Sequence, residues 1–98
     1  MHWIYILECA DGSYYTGSTT DLGRRLQEHN RGKGSKYTRG RRPVRLVYSI
    51  QFETLAEAYR IEKQVKSWNR AKRQALIRGE FELLSELAKP RRQKRDSG

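Results

Sequence analysis

Five side chains in the first two thirds of the sequence are of types that handle phosphate and water. Tyr5 and Tyr15 stand ten residues apart, Arg25 and His29 follow four apart, and Glu62 comes later. An arginine suits a phosphate because its planar fork donates two parallel hydrogen bonds. A histidine accepts or relays a proton near neutral pH. A single carboxylate can anchor Mg²⁺, which often takes one or two carboxylates and completes its shell with waters and substrate phosphate. Each residue also has an ordinary structural use. A strand tyrosine is commonly core, and Glu62 can pair with Lys66 four residues on.

The elements that must position these groups are readable. Residues 2–9 are aromatic and aliphatic with no breaker, as in a strand. Asp11-Gly12 signals a turn, and residues 13–18 form the return strand. Thr20 and Asp21 offer a helix N-cap. Leu22, Arg25, Leu26 and His29 then share one helical face, and Asn30 and Gly32 end the helix. Residues 31–42 form a basic loop closed by Pro43. Residues 44–50 predict a third strand, with Val44, Leu46, Tyr48 and Ile50 alternating. Thr54 caps a long helix to about Asn69, with Leu55, Ala58, Tyr59, Val65 and Trp68 on its apolar side. A further helical stretch covers 70–78, Gly79 interrupts it, and Phe81, Leu83, Leu84 and Leu87 suggest a last short helix before Pro90. The order β-β-α-β-α-α predicts an α+β fold: a three-stranded, mainly antiparallel sheet flanked by helices. One domain over 1–88 and a disordered basic tail over 89–98 are expected.

Two geometric expectations follow. At 100° per residue, Leu55, Ala58, Tyr59 and Val65 lie within about 60° of Glu62, so the carboxylate belongs to the buried side and needs a partner. The two tyrosines share a sheet face in only one parity of hairpin. A two-residue turn sends them to opposite faces. A three-residue loop, Ala10-Asp11-Gly12 with Gly12 left-handed, pairs Leu7 with Tyr15 and puts both on one face. The second geometry is expected if they serve one site.

The bulk composition narrows the partners. The chain has 98 residues and a formal net charge of +10, which points to a polyanion, nucleic acid first. No apolar run reaches the ~18 residues of a membrane span, and Glu8 and Asp11 interrupt the early apolar run that a signal peptide would need. A cytoplasmic monomer without membrane attachment is the default expectation. The single Cys9 allows no internal disulfide, and one Cys with two His does not make a structural zinc site. Arg31, Lys33, Lys36, Arg39, Arg41 and Arg42, with Tyr37 among them, suit DNA phosphates and an unpaired base. Lys66 and the tail extend this basic surface.

Taken together, the motifs carry a resemblance. Trp3-Ile4-Tyr5, Tyr15-Thr16-Gly17, the Arg25-x-x-x-His29 helix and the later helical Glu62 resemble the motifs of the GIY-YIG nuclease superfamily. The stretch His29 to Thr38 and the helix Glu62 to Trp68 are similar to its small bacterial single-domain (UPF0213-like) members. Trp3 stands where the first motif has glycine, and Thr16 where the second has isoleucine. The resemblance implies a GIY-YIG fold and a metal-dependent endonuclease that hydrolyses DNA phosphodiester bonds with one Mg²⁺ or Mn²⁺ held by Glu62. Tyr5 and Tyr15 would deprotonate and orient the attacking water, Arg25 would stabilise the phosphoryl transition state, and His29 would assist a tyrosine or the leaving oxygen. Nonspecific or structure-selective action on branched or single-stranded DNA, in repair or processing, is the expected role. The alternative is a non-catalytic nucleic-acid-binding module on the same fold.

Overall fold

The computed structural model of the chain describes residues 1–79. The expected short helix after Gly79, the domain limit at 88 and the basic tail lie outside the described residues. The chain divides into two compact units, Met1–Ser67 and a second that begins at Trp68.

The first unit holds β1 (His2–Glu8), β2 (Tyr14–Thr19), α1 (Leu22–Asn30), α2 (Lys36–Arg39), β3 (Arg45–Phe52) and α3 (Leu55–Lys66). The sheet order is β2-β1-β3, and both pairings are antiparallel. β1 is therefore the central strand. Ile4, Tyr5, Ile6 and Leu7 are all buried, which explains why β1 is apolar throughout instead of alternating.

The hairpin takes the three-residue form. The Cys9 amide donates to the Ser13 carbonyl, the Gly12 amide returns to the Cys9 carbonyl, and Gly12 has φ +85°. Leu7 then pairs with Tyr15 and Tyr5 with Gly17. Tyr5, Leu7, Cys9 and Val44 form a buried cluster on this face, joined by Tyr15, Leu22, Leu26 and Leu46. Ile4, Ile6 and Thr16 point to the other face by strand alternation.

The third strand departs from simple alternation. Ile6 pairs with Tyr48 but Leu7 pairs with Leu46, so a bulge intervenes. The extra residue puts Leu46 on the face of Leu7, while Tyr48 and Ile50 oppose Ile6 and Ile4 on the other face. The expected stripe of Val44, Leu46, Tyr48 and Ile50 is thus split between two faces.

The basic loop is also more ordered than its composition predicts. Ser35 caps the short helix α2 by accepting from the Thr38 amide. Asn30, expected only as a helix stop, clamps the start of β3. Its side chain donates to the Val44 carbonyl at 3.0 Å and accepts from the Val44 amide at 2.8 Å.

Asp21 caps α1 and Thr54 caps α3. α3 lies against all three strands, but its buried stripe is narrower than expected. Ala58 and Val65 are buried and Ile61 and Glu62 half-buried, whereas Leu55 and Tyr59 are exposed. α3 also ends at Lys66, short of Asn69. In the second unit, the Asn69 side chain accepts from the Lys72 amide and caps α4 (Arg70–Arg78). Left-handed Gly79, at φ +72°, ends that helix.

Candidate active site

Four rings meet on the α1 side of the sheet. Tyr5, Tyr15 and His29 are mutual neighbours, with centroids 6.4 Å apart for the tyrosines and 5.8 and 5.1 Å from each to the imidazole. Tyr37 stacks on Tyr15 at 6.0 Å. The hairpin register places the tyrosines together, and the i, i+4 phase of α1 turns Arg25 and His29 toward them.

His29 is the hub. It is fully buried. Its Nε2 lies 2.8 Å from the Tyr5 hydroxyl and its Nδ1 2.8 Å from Thr38 Oγ1. Burial first, then the Arg25 charge, push its pKa below the usual histidine value, against a weaker opposing pull from Glu28. The ring is therefore neutral at pH 7. Tyr5 is equally buried, and burial raises its pKa to about 12. Arg25 pulls that value down, while Tyr15 and Glu62 add to the rise. Tyr5 thus keeps its proton at neutral pH.

Two glycines make this packing possible. A Cβ on Gly17 would fall 2.5 Å from the Tyr5 oxygen and 3.1 Å from a Tyr15 ring carbon. A Cβ on Gly34 would overlap the His29 imidazole. Neither position tolerates a side chain without moving the site.

Arg25 is half-buried and held from two sides. It donates to Glu28 and to the Gly34 carbonyl, both at 2.9 Å. Arg25 with Arg24 holds the Glu28 carboxyl below the usual carboxylate range. Arg25 also lines an open polar cleft of about 360 Å³ with Ser18, Thr19, Asp21 and Glu28. Glu62 shows only 14% of its side chain to solvent and pairs with Lys66 at 2.9 Å. Its inward placement agrees with the helical phase, and it reaches the ring cluster through its field on Tyr5.

The donor set suits one kind of metal. No group of three His, Cys, Asp or Glu residues forms a metal cage among the described residues. A lone inward carboxylate would fit an ion that keeps most of its waters, as Mg²⁺ does.

The basic residues divide by what they touch. Among the described residues, no ion pair engages Arg31, Lys33, Lys36 or Arg39, and all four are exposed. Arg41 pairs with Asp11 at 3.1 Å, donates to the Tyr37 carbonyl and lies 3.9 Å over the Tyr37 ring. Arg42 donates to the Arg39 and Asn30 carbonyls. The Tyr37 ring, still 37% exposed, stacks on Tyr15 and carries Arg41 over it.

Thr38 and Gly34 were not expected at the site. Ser35-x-x-Thr38 carries the spacing of an N-cap, which was the available signal for α2. Nothing local told that Thr38 would meet His29.

The fold finds its counterpart in known proteins. The family model of the GIY-YIG catalytic domain matches residues 1–75, and the chain belongs to that family, one of endonucleases. Within it, the chain belongs with the small single-domain UPF0213 proteins. A UPF0213 protein of Halobacterium salinarum is 53% identical over 77 residues, covering 79% of this chain and 100% of the relative. One of Staphylococcus aureus is 48% identical, covering 79% and 94%. The solution NMR structure of a UPF0213 protein from Bacillus halodurans is 54% identical, with a TM-score of 0.52 over 78% of this chain and 81% of that one. The solution NMR structure of a protein from E. faecalis is 42% identical, with a TM-score of 0.57 over 84% and 86%. Among the described residues no helix is long and apolar enough to cross a membrane.

Proposed function

We propose that the chain is a metal-dependent endonuclease that hydrolyses DNA phosphodiester bonds, nonspecifically or by DNA structure. The observation that carries this reading is the convergence of Tyr5, Tyr15 and His29 in ring contact beside Arg25, with Glu62 facing inward. Half-buried Tyr15 is the tyrosine that meets substrate and orients the attacking water. Buried Tyr5, hydrogen-bonded to His29, is the inner member that holds Tyr15 and His29 in register and links them to a neutral base. Arg25 supplies fixed positive charge where the phosphoryl transition state gains negative charge. Glu62 would hold the Mg²⁺ or Mn²⁺, exchanging its pairing with Lys66 for the ion. When bound, such an ion supplies Lewis acidity and a more acidic water. Exposed Arg31, Lys33, Lys36 and Arg39 bind backbone phosphates, which position DNA without reading its sequence.

The test uses the protein and its Glu62→Ala variant with single-stranded, duplex and branched DNA, with Mg²⁺, with Mn²⁺ or with EDTA. Cleavage that needs metal and Glu62, with binding retained by the variant, is the expected result. Cleavage indifferent to Glu62 refutes the mechanism. The pairing of Glu62 with Lys66 favours a second reading, a non-catalytic DNA-binding module. Binding without cleavage under every condition selects that reading.

A further inference from the structure

One short segment touches three of the site residues at once. In Gly34–Thr38, the Gly34 carbonyl accepts from Arg25 and the Gly34 backbone lies against the His29 ring. Tyr37 stacks on Tyr15, and Thr38 Oγ1 meets His29 Nδ1. Thr38 is fully buried, as is His29. Two buried polar side chains face each other deep in the unit, so the direction of the hydrogen bond between them is a matter of energy.

The hydrogen inventory favours one direction. A neutral imidazole has one N–H and one bare nitrogen. The Thr38 hydroxyl has one proton and two lone pairs, with three neighbours: His29 Nδ1 at 2.8 Å, Ser35 Oγ at 3.1 Å and the Ser35 carbonyl at 3.4 Å. A carbonyl only accepts, so that last bond needs the Thr38 proton. If Nδ1 carries the imidazole proton, every bond closes. Tyr5 donates to Nε2, Nδ1–H donates to Thr38, Ser35 Oγ–H donates to the other Thr38 lone pair, and Thr38 donates to the Ser35 carbonyl. In the opposite tautomer Thr38 gives its proton to Nδ1 and the Ser35 carbonyl keeps only the Arg39 amide. The buried Tyr5 hydroxyl then receives a proton from Nε2 and must find another acceptor for its own.

We propose that Thr38 is a positioning residue that accepts the His29 Nδ1–H and so presents the bare Nε2 to the Tyr5 hydroxyl. α2 exists to deliver it. Ser35 caps the helix and orients the Thr38 hydroxyl, and Gly34 lets the segment close over the imidazole. A threonine here does for His29 what an orienting group does for any functional histidine, setting which nitrogen is free. This assignment deepens the endonuclease reading and rests on it for its catalytic meaning, but the tautomer is measurable without any cleavage.

The test is ¹⁵N NMR of the imidazoles in the full chain at neutral pH, for the protein and its Thr38→Ser and Thr38→Val variants. The pair of chemical shifts distinguishes Nδ1–H from Nε2–H directly. The expected result is Nδ1–H for His29 in the protein and in Thr38→Ser, and a mixture or reversal in Thr38→Val. Cleavage should fall at least about tenfold in Thr38→Val and recover in Thr38→Ser. An Nε2–H ring in the unsubstituted protein overturns the proposal, whether or not Thr38→Val folds. So does a folded Thr38→Val that keeps pure Nδ1–H. Failure of the unsubstituted protein to cleave any DNA, with the Nδ1–H signature present, removes the endonuclease reading and leaves the Thr38–His29 assignment standing.

Discussion

Gly17→Ala offers a test in which two effects of opposite sign compete. On chain entropy alone, alanine at a strand glycine stabilises by about 0.4–1 kcal/mol when the backbone angles allow it. The packing says the reverse. The new Cβ would lie 2.5 Å from the Tyr5 oxygen, 2.6 Å from the ring carbon that bears it and 3.1 Å from a Tyr15 ring carbon. Tyr5 has nowhere to go, since it sits on the central strand between buried Ile4 and Ile6 and its hydroxyl is held by His29. Overpacking of this kind costs about 1–3 kcal/mol, and a His29 nitrogen left without its partner costs about 1–3 more. At mid-range values the net loss is about 3 kcal/mol, a large share of the roughly 5–15 kcal/mol that holds a domain together. At about 4–8 °C per kcal/mol for a unit of this size, Tm should fall on the order of 10–25 °C by calorimetry. An unchanged or higher Tm would refute the reasoning, because it would mean that Tyr5 does not lie where its bond to His29 requires.

Other consequences are separable. His29 has a folded pKa below its unfolded value, so the unfolded chain binds the extra proton and stability falls as pH drops below about 6.5 toward the folded pKa. Urea titrations across that window should show a slope of up to about 1.4 kcal/mol per pH unit, absent in a folded His29→Gln variant. Asn30→Ala should lower stability by about 1–3 kcal/mol, since it removes both bonds to the Val44 backbone, and Asn30→Asp should not restore it because a carboxylate cannot donate to the carbonyl. Binding to duplex DNA through Arg31, Lys33, Lys36 and Arg39 should show a log–log salt slope of about −4, and Lys36→Ala should reduce its magnitude by about 1. Arg41→Ala should leave that slope nearly unchanged while loosening the hairpin turn, since Asp11 and the Tyr37 ring occupy its guanidinium.

Much of this arrangement was legible from local signals. Helical phase put Arg25 and His29 on one face and turned Glu62 inward. The three-residue hairpin loop followed from parity once the two strand tyrosines were taken to serve one site. Where reading failed, a tertiary effect overrode a local one. The extra residue between Ile6 and Leu7 on the partner strand splits the apolar residues of β3 between two faces, and no local pattern marks it. Leu55 and Tyr59 have the phase of core residues, yet α3 buries only the stripe through Ala58 and Val65. The contacts of Tyr37 with Tyr15 and of Arg41 with Asp11 were likewise unmarked in the sequence, since both partners come from the distant hairpin.

The residues that can do chemistry, and the secondary elements that carry them, were set by the sequence, because side-chain type and periodicity of 2 or 3.6 are local properties. The environment of those residues was decided by the tertiary structure. Burial is a property of everything packed around a group, and burial is what raises the Tyr5 pKa and lowers that of His29. Only the closed fold brings Thr38, nine residues along the chain, against His29 Nδ1, and only the closed fold makes glycine at 17 and 34 a condition for the site to exist.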